Sequence, residues 1–226
     1  MPLDLARVKG LCFDVDGTIS DTDNAWVERI AQWLAPLHSV INKASARRFG
    51  RWLVMFTESP MNFVSYILDT LSMDDEFGRM FDHMRRREGA IKTKFLLMDG
   101  AADLLAAART RYPLCVVSAR DAGTTATFLN QFNLQQYFVE VVTNQTCPHT
   151  KPYPDPVIYA AQKMDLSPRD CVMIGDTTVD ILAGKRAGAQ TVGVLCGFGT
   201  AKELQRAGAD VILNDLHEVY QLFFPY

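Results

Sequence analysis

The sequence has no excess of basic residues and no long apolar run, and each absence excludes a class of partner. Its 23 lysines and arginines are outnumbered by 26 aspartates and glutamates, which gives a formal net charge of -3. Binding to nucleic-acid phosphates needs a basic surface, so we expect no nucleic-acid partner. No apolar run approaches the ~18 residues of a membrane-spanning helix, so we expect no membrane partner.

The five cysteines also lack a pattern, because none of them has CxxC spacing to another. Cys12, Cys115 and Cys171 lie in short apolar runs, where a thiol packs as a small apolar side chain. An odd number of scattered cysteines does not favour a zinc site or a disulfide scaffold. Residues 1–5 show no secretory signal. We therefore expect reduced core thiols in a cytoplasmic protein.

The composition is that of a globular protein, with 48% hydrophobic and 22% charged residues in a chain of 226. Short apolar runs predict strands at 9–13, 114–117, 138–142, 171–174, 191–195 and 211–213. Helical patterns predict helices at 101–111, 122–132, 155–164, 179–187 and 201–207. This alternation is typical of an α/β fold with a doubly wound parallel sheet. Gly188, Gly199 and Gly208 fit helix ends or turns.

The first strand is separated from the others by a long stretch with helical patterns, at 24–37, 44–56, 61–71 and 74–87. We predict an α/β core of residues 1–19 and 90–226 with an inserted helical domain of residues 20–89. The inserted domain carries a basic cluster of Lys43, Arg47, Arg48 and Arg51. This cluster either forms a solvated helix face or binds a second anion of a substrate.

The first chemical motif follows the strand at 9–13 and reads Asp-Val-Asp-Gly-Thr. Asp14 and Asp16 are two positions apart, so both carboxyls can point to the same side of the chain. Close carboxylates repel each other unless a cation joins them, and such oxygen ligands suit Mg²⁺. Gly17 permits a tight turn. An acidic turn without chemistry is the alternative.

Three further polar segments, which we call the second, third and fourth motifs in chain order, follow later strands, at the sheet edge where α/β proteins bind ligands. Ser118 either caps the next helix or helps to bind an anion at its N-terminus. Lys151 lies in a stiff, proline-rich loop that can hold its ammonium against a phosphate, or it is a solvated lysine. Asp176 and Asp180 add two carboxylates. The alternative for Asp180 is that its charge only stabilises the first turn of a helix.

These segments, in this order, resemble the motifs of the haloacid dehalogenase superfamily over essentially the whole chain. The matching residues are 14–18, Ser118, Lys151-Pro152 and 175–180. The inserted helical domain is similar to that superfamily's helical cap, and the stretch 175–188 is similar to the phosphoglycolate-phosphatase-like branch. The resemblance implies a Rossmann-like core and a Mg²⁺-dependent phosphatase that acts on a small phosphorylated metabolite.

The resemblance also implies a role for each motif residue. Asp14 is expected to be the nucleophile that forms an aspartyl-phosphate, and Asp16 the general acid and base, which Thr18 positions. The implied catalytic residues are Asp14, Asp16, Thr18, Ser118 and Lys151. The implied phosphate or substrate ligands are Gly17, Ser118, Ala119, Arg120 and Lys151, where Arg120 either reaches a second anion or faces solvent. The implied Mg²⁺ ligands are Asp14, Asp16 through its backbone carbonyl, Asp176 and, directly or as a support, Asp180.

Asp16 favours a phosphatase or a phosphomutase over the superfamily's dehalogenases, which carry another residue there. Mutases of this superfamily usually have a histidine shortly after the first motif, and residues 21–25 contain none. A sugar-phosphate mutase and a pyrophosphatase are the alternatives. A phosphorylated receiver domain is far shorter, and residues 11–18 contain no GxGxxG or GxxxxGK[ST] nucleotide motif. We expect a monomer or a homodimer.

Overall fold

A computed structural model describes residues 3–21 and 95–225. The chain divides into one unit of Met1–Asp23 and Phe95–Tyr226 and a second of Asn24–Lys94, and the fold given below is that of the first. The helices predicted between residues 24 and 87 and the basic cluster at residues 43–51 lie outside the described residues. The domain boundaries and the helical nature of the insert therefore stay predictions.

Six strands form a single parallel sheet within the described residues. They are β1 (Gly10–Phe13), β2 (Leu114–Val117), β3 (Glu140–Val142), β4 (Cys171–Gly175), β5 (Gln190–Val194) and β6 (Val211–Leu213). Their order in the sheet is β3-β2-β1-β4-β5-β6, and the register pairs Cys12 with Cys115 on one side and with Met173 on the other. Because β1 and β4 lie at the centre of the sheet, both have only buried residues.

Helices connect the strands, as a parallel sheet requires. They are α1 (Ala101–Arg109), α2 (Ala122–Gln131), α3 (Asp155–Lys163), α4 (Thr178–Ala187), α5 (Ala201–Ala207) and α6 (Leu216–Phe223). Alternate strand residues face opposite sides, so Leu11 and Phe13 pack with α1, α2 and α6. Cys12, between them in sequence, packs with α3 and α4 on the other face. The predicted doubly wound α/β sheet is confirmed.

The secondary-structure predictions agree with the structure except at the C-terminus. All six predicted strands and all five helices predicted outside the insert are present, with ends shifted by at most two residues. Helix α6 was not predicted, although Asp215 caps it by accepting a hydrogen bond from the backbone of Glu218. Gly188 and Gly208 end α4 and α5 with positive φ angles, as expected.

The cysteines and the helix lengths of this fold bear on two expectations drawn from the composition. All five cysteines are free thiols, and Cys12, Cys115 and Cys171 are buried, as their apolar surroundings predicted. Of the helices in residues 3–21 and 95–225, none has both the length and the apolar character needed to cross a bilayer.

The strand order creates a switch point between β1 and β4. From β1 the chain winds to one side through β2 and β3, and it then returns to pair β4 with the other side of β1. At such a point the connections leave in opposite directions, which opens a crevice beyond the carboxyl ends of the two strands. The first and fourth motifs follow β1 and β4, so the fold brings them to this crevice.

The close packing of α4 on the sheet leads to a stability prediction. A Cβ atom at Gly184 would lie 2.6 Å from Thr191 Cγ2 and 2.9 Å from Met173 Cβ. We expect Gly184→Val to lower the free energy of unfolding by about 2 kcal/mol through overpacking. Gly123→Val is the control, because the added Cβ meets only Asp121 Oδ1, at 3.3 Å. Equal urea midpoints for the two variants would contradict the prediction.

Candidate active site

Three carboxyls from the first and fourth motifs meet at the switch point. Asp14 directly follows β1, and its backbone N–H donates to the carbonyl of Ile174 in β4 at 2.9 Å. Asp176 follows β4, and Asp180 lies in the first turn of α4. One carboxyl oxygen of each aspartate lies within 4.8 Å of the others, and all three side chains are buried. We call Asp14, Asp176 and Asp180 the aspartate cluster.

Lys151 provides a positive charge inside the aspartate cluster. Its Nζ lies 2.5 Å from Asp14 Oδ1 and 2.6 Å from Asp180 Oδ1. The lysine is 5% exposed, which excludes the alternative of a solvated surface residue. Its loop is attached to α4, because Arg186 Nη1 donates to the carbonyl of Pro152 at 2.8 Å. The ammonium therefore has a fixed place between two carboxylates.

Asp176 is held by groups from two loops. Thr18 Oγ1 donates to Asp176 Oδ1 at 3.0 Å, and the backbone N–H of Phe198 donates to Oδ2 at 2.8 Å. A Cβ atom on Gly17 or Gly197 would collide with the same carboxyl. Only glycine lets these two backbone segments approach Asp176 so closely.

Sequence reasoning missed the loop after β5, where Gly197, Phe198 and Gly199 pack against Asp176. We expected Gly199 to mark a turn, and in the structure a Cβ atom there would also collide with the backbone of Asp176. The signal in the sequence was the Gly-x-Gly pattern at 197–199, one residue beyond the predicted strand at 191–195. The contact is made by a backbone amide, which no side-chain motif reveals.

Asp180 caps a helix and also contacts Lys151, while its implied role at the metal stays a prediction. Its Oδ2 accepts hydrogen bonds from the backbone N–H and the hydroxyl of Thr177, at 3.0 and 2.6 Å, which caps the start of α4. Its Oδ1 faces Lys151. The cap fixes the carboxyl, and the fixed carboxyl places the ammonium of Lys151 next to Asp14.

Burial and mutual repulsion shift the proton equilibria of the cluster. Burial raises the pKa of Asp14 from 3.8 to about 7; Lys151 acts against this shift, and the charges of Asp180 and Asp16 add to it. Burial, followed by the charges of Asp180 and Asp14, raises the pKa of Asp176 well above its usual range. Burial lowers the pKa of Lys151, but Asp14 and Asp180 outweigh it and leave the pKa above its ordinary value. When all three carboxyls are ionised, the site therefore holds more negative charge than Lys151 can offset.

The second motif lies at the end of β2, next to β1. The backbone N–H of Ser118 donates to Val142 in β3 at 2.9 Å, and its hydroxyl accepts from the N–H of Arg120 at 3.1 Å. Asp121 caps α2, so Ser118 is not the cap of that helix. Ser118 is buried and Ala119 exposed. Their implied role as phosphate ligands stays a prediction.

The carboxyl of Asp16 is held apart from the aspartate cluster. Arg120 Nη2 makes a short ion pair with Asp16 Oδ1. The implied metal ligand at this position is the backbone carbonyl, and that assignment stays a prediction. Arg120 does not face solvent, since its side chain is 13% exposed. Its implied role as a substrate ligand also stays a prediction.

The aspartate cluster fits a divalent cation. It offers three hard oxygen donors within 4.8 Å of one another, which is the donor type that Mg²⁺ prefers. Burial and repulsion raise the pKa of both Asp14 and Asp176, so a cation that offsets their charge would be stabilised there. The residues present therefore suit the expected Mg²⁺.

Comparison with known proteins assigns the family. The family described as haloacid dehalogenase-like hydrolase matches residues 11–194. The chain belongs to the haloacid dehalogenase-like hydrolases. This confirms the resemblance inferred from the motifs and the prediction that the chain is an enzyme of that superfamily.

Individual known proteins are similar to it over nearly the full chain. A phosphoglycolate phosphatase from Photobacterium profundum is 25% identical over 229 residues, which cover 94% of each chain. The pyrophosphatase PpaX from Bacillus velezensis is 25% identical over 218 residues and 96% of each chain. A solved haloacid dehalogenase-like hydrolase from Streptococcus pneumoniae is 21% identical and has a TM-score of 0.69, with 96% of this chain and 99% of that chain covered. The solved structure supports the fold alone.

The shifted proton equilibria predict that Mg²⁺ stabilises the protein more at high pH. The pKa of Asp14 is raised from 3.8 to about 7. The bound proton therefore stabilises the metal-free fold fully below pH 3.8, and this stabilisation is lost as the pH rises through 7. Because Mg²⁺ binds ionised carboxylates, it competes with that proton at pH 5.5 but not at pH 8. At 100 times its Kd, we expect Mg²⁺ to raise Tm by about 5 °C or more at pH 8.

The measurement is a thermal melt of chelator-treated protein with and without Mg²⁺ at the two pH values. Asp176→Asn should remove the shift in Tm. Asp103→Asn, on an exposed residue of α1, should keep it. An equal shift at pH 5.5 and pH 8, or a full shift in Asp176→Asn, would show that Mg²⁺ binds elsewhere.

Proposed function

We propose that the chain is a Mg²⁺-dependent phosphatase that hydrolyses a small phosphate monoester through an aspartyl-phosphate on Asp14. The observation that carries this proposal is the buried Lys151 ammonium, 2.5 Å from Asp14 Oδ1. Phosphoryl transfer needs a positioned nucleophile and positive charge next to the phosphoryl oxygens. Lys151, held by Asp180 at 2.6 Å, supplies that charge beside the proposed nucleophile.

The first chemical step belongs to Asp14 and Asp16. A carboxylate oxygen of Asp14 forms a bond to phosphorus while the bond from phosphorus to the ester oxygen breaks. The leaving oxygen takes a proton from Asp16 and departs as an alcohol. Lys151 offsets the negative charge of Asp14 and the phosphoryl group, and Ser118 and the backbone of Ala119 bind phosphoryl oxygens.

The second step restores the free enzyme. A water molecule attacks phosphorus and gives a proton to Asp16, while the bond between the Asp14 oxygen and phosphorus breaks. Inorganic phosphate leaves, and Asp14 is again a carboxylate. Thr18, 3.0 Å from Asp176 Oδ1, keeps the motif loop against Asp176 during both steps.

When bound, Mg²⁺ supplies positive charge that screens the phosphoryl oxygens from Asp14. The side chains that would hold it are those of Asp14, Asp176 and Asp180, together with the backbone carbonyl of Asp16. Hydrogen bonds from Thr18 and Phe198 hold the carboxyl of Asp176, and one from Thr177 holds that of Asp180.

For the substrate, we propose a small phosphorylated metabolite, with phosphoglycolate as the first candidate. The full-length similarity to the Photobacterium profundum phosphoglycolate phosphatase supports this choice. Pyrophosphate is the second candidate, because the Bacillus velezensis pyrophosphatase is similar to the same degree. No observation on the described residues favours a mutase. A cytoplasmic location and a monomeric or homodimeric state stay predictions.

The proposed nucleophile predicts that Asp14→Asn lowers phosphate release at least about 1,000-fold, because an amide cannot form the acyl phosphate. Asp103→Asn should be as active as the wild type. Acid quenching during turnover of ³²P-labelled substrate should trap labelled protein with the wild type but not with Asp14→Asn. Labelled Asp14→Asn, or undiminished release from it, would assign the nucleophile to another residue.

The substrate class is tested by phosphate release with Mg²⁺ from phosphoglycolate, pyrophosphate, sugar phosphates and nucleotides. We expect kcat/KM for one small monoester to exceed the others by at least about tenfold, since each well-placed contact changes specificity by that order. Pyrophosphate as the best substrate would favour the second candidate. Isomerisation of a sugar phosphate without phosphate release would overturn the proposal in favour of a mutase.

A further inference from the structure

The backbone of Asp16 is fixed by a tight turn after β1. The N–H of Gly17 donates to the carbonyl of Ser20 at 2.9 Å, and the N–H of Ser20 donates to the carbonyl of Val15 at 2.8 Å. Gly17 has a φ of 75°, which the turn requires. These bonds set the position of the Asp16 backbone, but they do not set the direction of its carboxyl.

Arg120 sets that direction from the neighbouring strand. It lies just beyond β2, which pairs with β1, and its Nη2 makes the short ion pair with Asp16 Oδ1. The two side chains are 13% and 22% exposed. An ion pair this far from bulk water is screened less than a surface pair, so it restrains both side chains.

The guanidinium of Arg120 is itself held by aromatic rings. Its Cζ lies 5.1 Å from the ring centroid of Phe95 and 5.9 Å from that of Phe128. The two rings pack edge to face at 5.7 Å, and Gln131 Nε2 donates to the carbonyl of Phe95 at 2.9 Å. A planar guanidinium packed on these two rings presents its N–H donors in a fixed direction.

We infer that Arg120 is a positioning residue that holds the Asp16 carboxyl in place for proton transfer to the leaving oxygen. The inference rests on the proposed function, in which Asp16 is the general acid and base. A general acid acts only when its carboxyl is within hydrogen-bond reach of the oxygen that it protonates. Loss of the guanidinium leaves the Asp16 backbone in place and removes the ion pair that restrains its carboxyl.

This role predicts a dependence on the leaving group that a structural role does not. An alkyl phosphate needs its leaving oxygen protonated, whereas p-nitrophenyl phosphate leaves as a stable phenolate. The ratio kcat/KM reports the steps up to alcohol release and excludes hydrolysis of the aspartyl-phosphate. Loss of the Arg120 guanidinium should therefore lower kcat/KM strongly for the alkyl ester and only slightly for the aryl ester.

The experiment compares kcat/KM of the wild type and Arg120→Met on a series of phosphates from p-nitrophenyl phosphate to a simple alkyl phosphate. Methionine keeps an apolar chain against Phe95 and Phe128. We expect a loss of about 10- to 100-fold on the alkyl phosphate and less than about threefold on the aryl phosphate. Arg120→Lys, which keeps the charge but not the fork, should lose less than Arg120→Met on the alkyl phosphate.

Arg109→Met is the matched control. Arg109 also lies over an aromatic ring, with its Cζ 5.9 Å from the ring centroid of Tyr137. It ends α1 just before β2 begins, so it lies at the amino ends of the strands, away from the crevice at their carboxyl ends. Arg109→Met removes the same charge, and kcat/KM for each phosphate in the series should stay as in the wild type. An equal loss of Arg120→Met on every ester, or a rise in KM alone, would overturn the positioning role; the second result would assign Arg120 to substrate binding.

A structural measurement separates this inference from the proposed function. If the wild type hydrolysed no ester, the proposed function would fail, and crystal structures of wild type and Arg120→Met would still decide the placement of Asp16. We expect one defined Asp16 carboxyl in the wild type and a rotated or disordered one in the variant. The same carboxyl position in both structures would overturn the inference.

Discussion

Buried negative charge is the constraint on which the rest of this site depends. Asp14, Asp176 and Asp180 place their carboxyl oxygens within 4.8 Å of one another in a buried crevice, where each ionised group is costly unless a positive charge or a hydrogen bond compensates it. Lys151 supplies one such charge directly. Donors from Thr18, Phe198 and Thr177 supply hydrogen bonds. The remaining negative charge makes the crevice a favourable place for a cation.

The topology of the sheet explains why residues so distant in sequence can share this charge. Lys151 and Asp14 are 137 positions apart, and Arg120 and Asp16 are 104 apart. Each lies just past a strand or in the loop beyond one, and the central pairing of β1 with β2 and β4 brings these ends together. No single segment contains the site, so its geometry exists only when the complete sheet has formed.

Much of this arrangement could be predicted from the sequence, because strand ends can be recognised locally. The apolar run before Asp14 and the run before Asp176 are bounded by turn residues, and their motifs place both carboxyls at the same edge. The Arg120–Asp16 pair and the Phe198 amide could not be predicted. A side-chain direction and a backbone contact across the sheet depend on packing that no local pattern encodes. Helix α6 was missed although its capping residue, Asp215, precedes it.

Asp180 joins two properties of the protein that are usually separate. One oxygen of its carboxyl closes the first turn of α4, and the other belongs to the charge network around Lys151. Occupancy of the crevice and fraying of this helix are therefore thermodynamically linked. A ligand that binds only while Asp180 keeps this position would slow amide exchange at the beginning of α4, and a change that loosens this turn would weaken its binding.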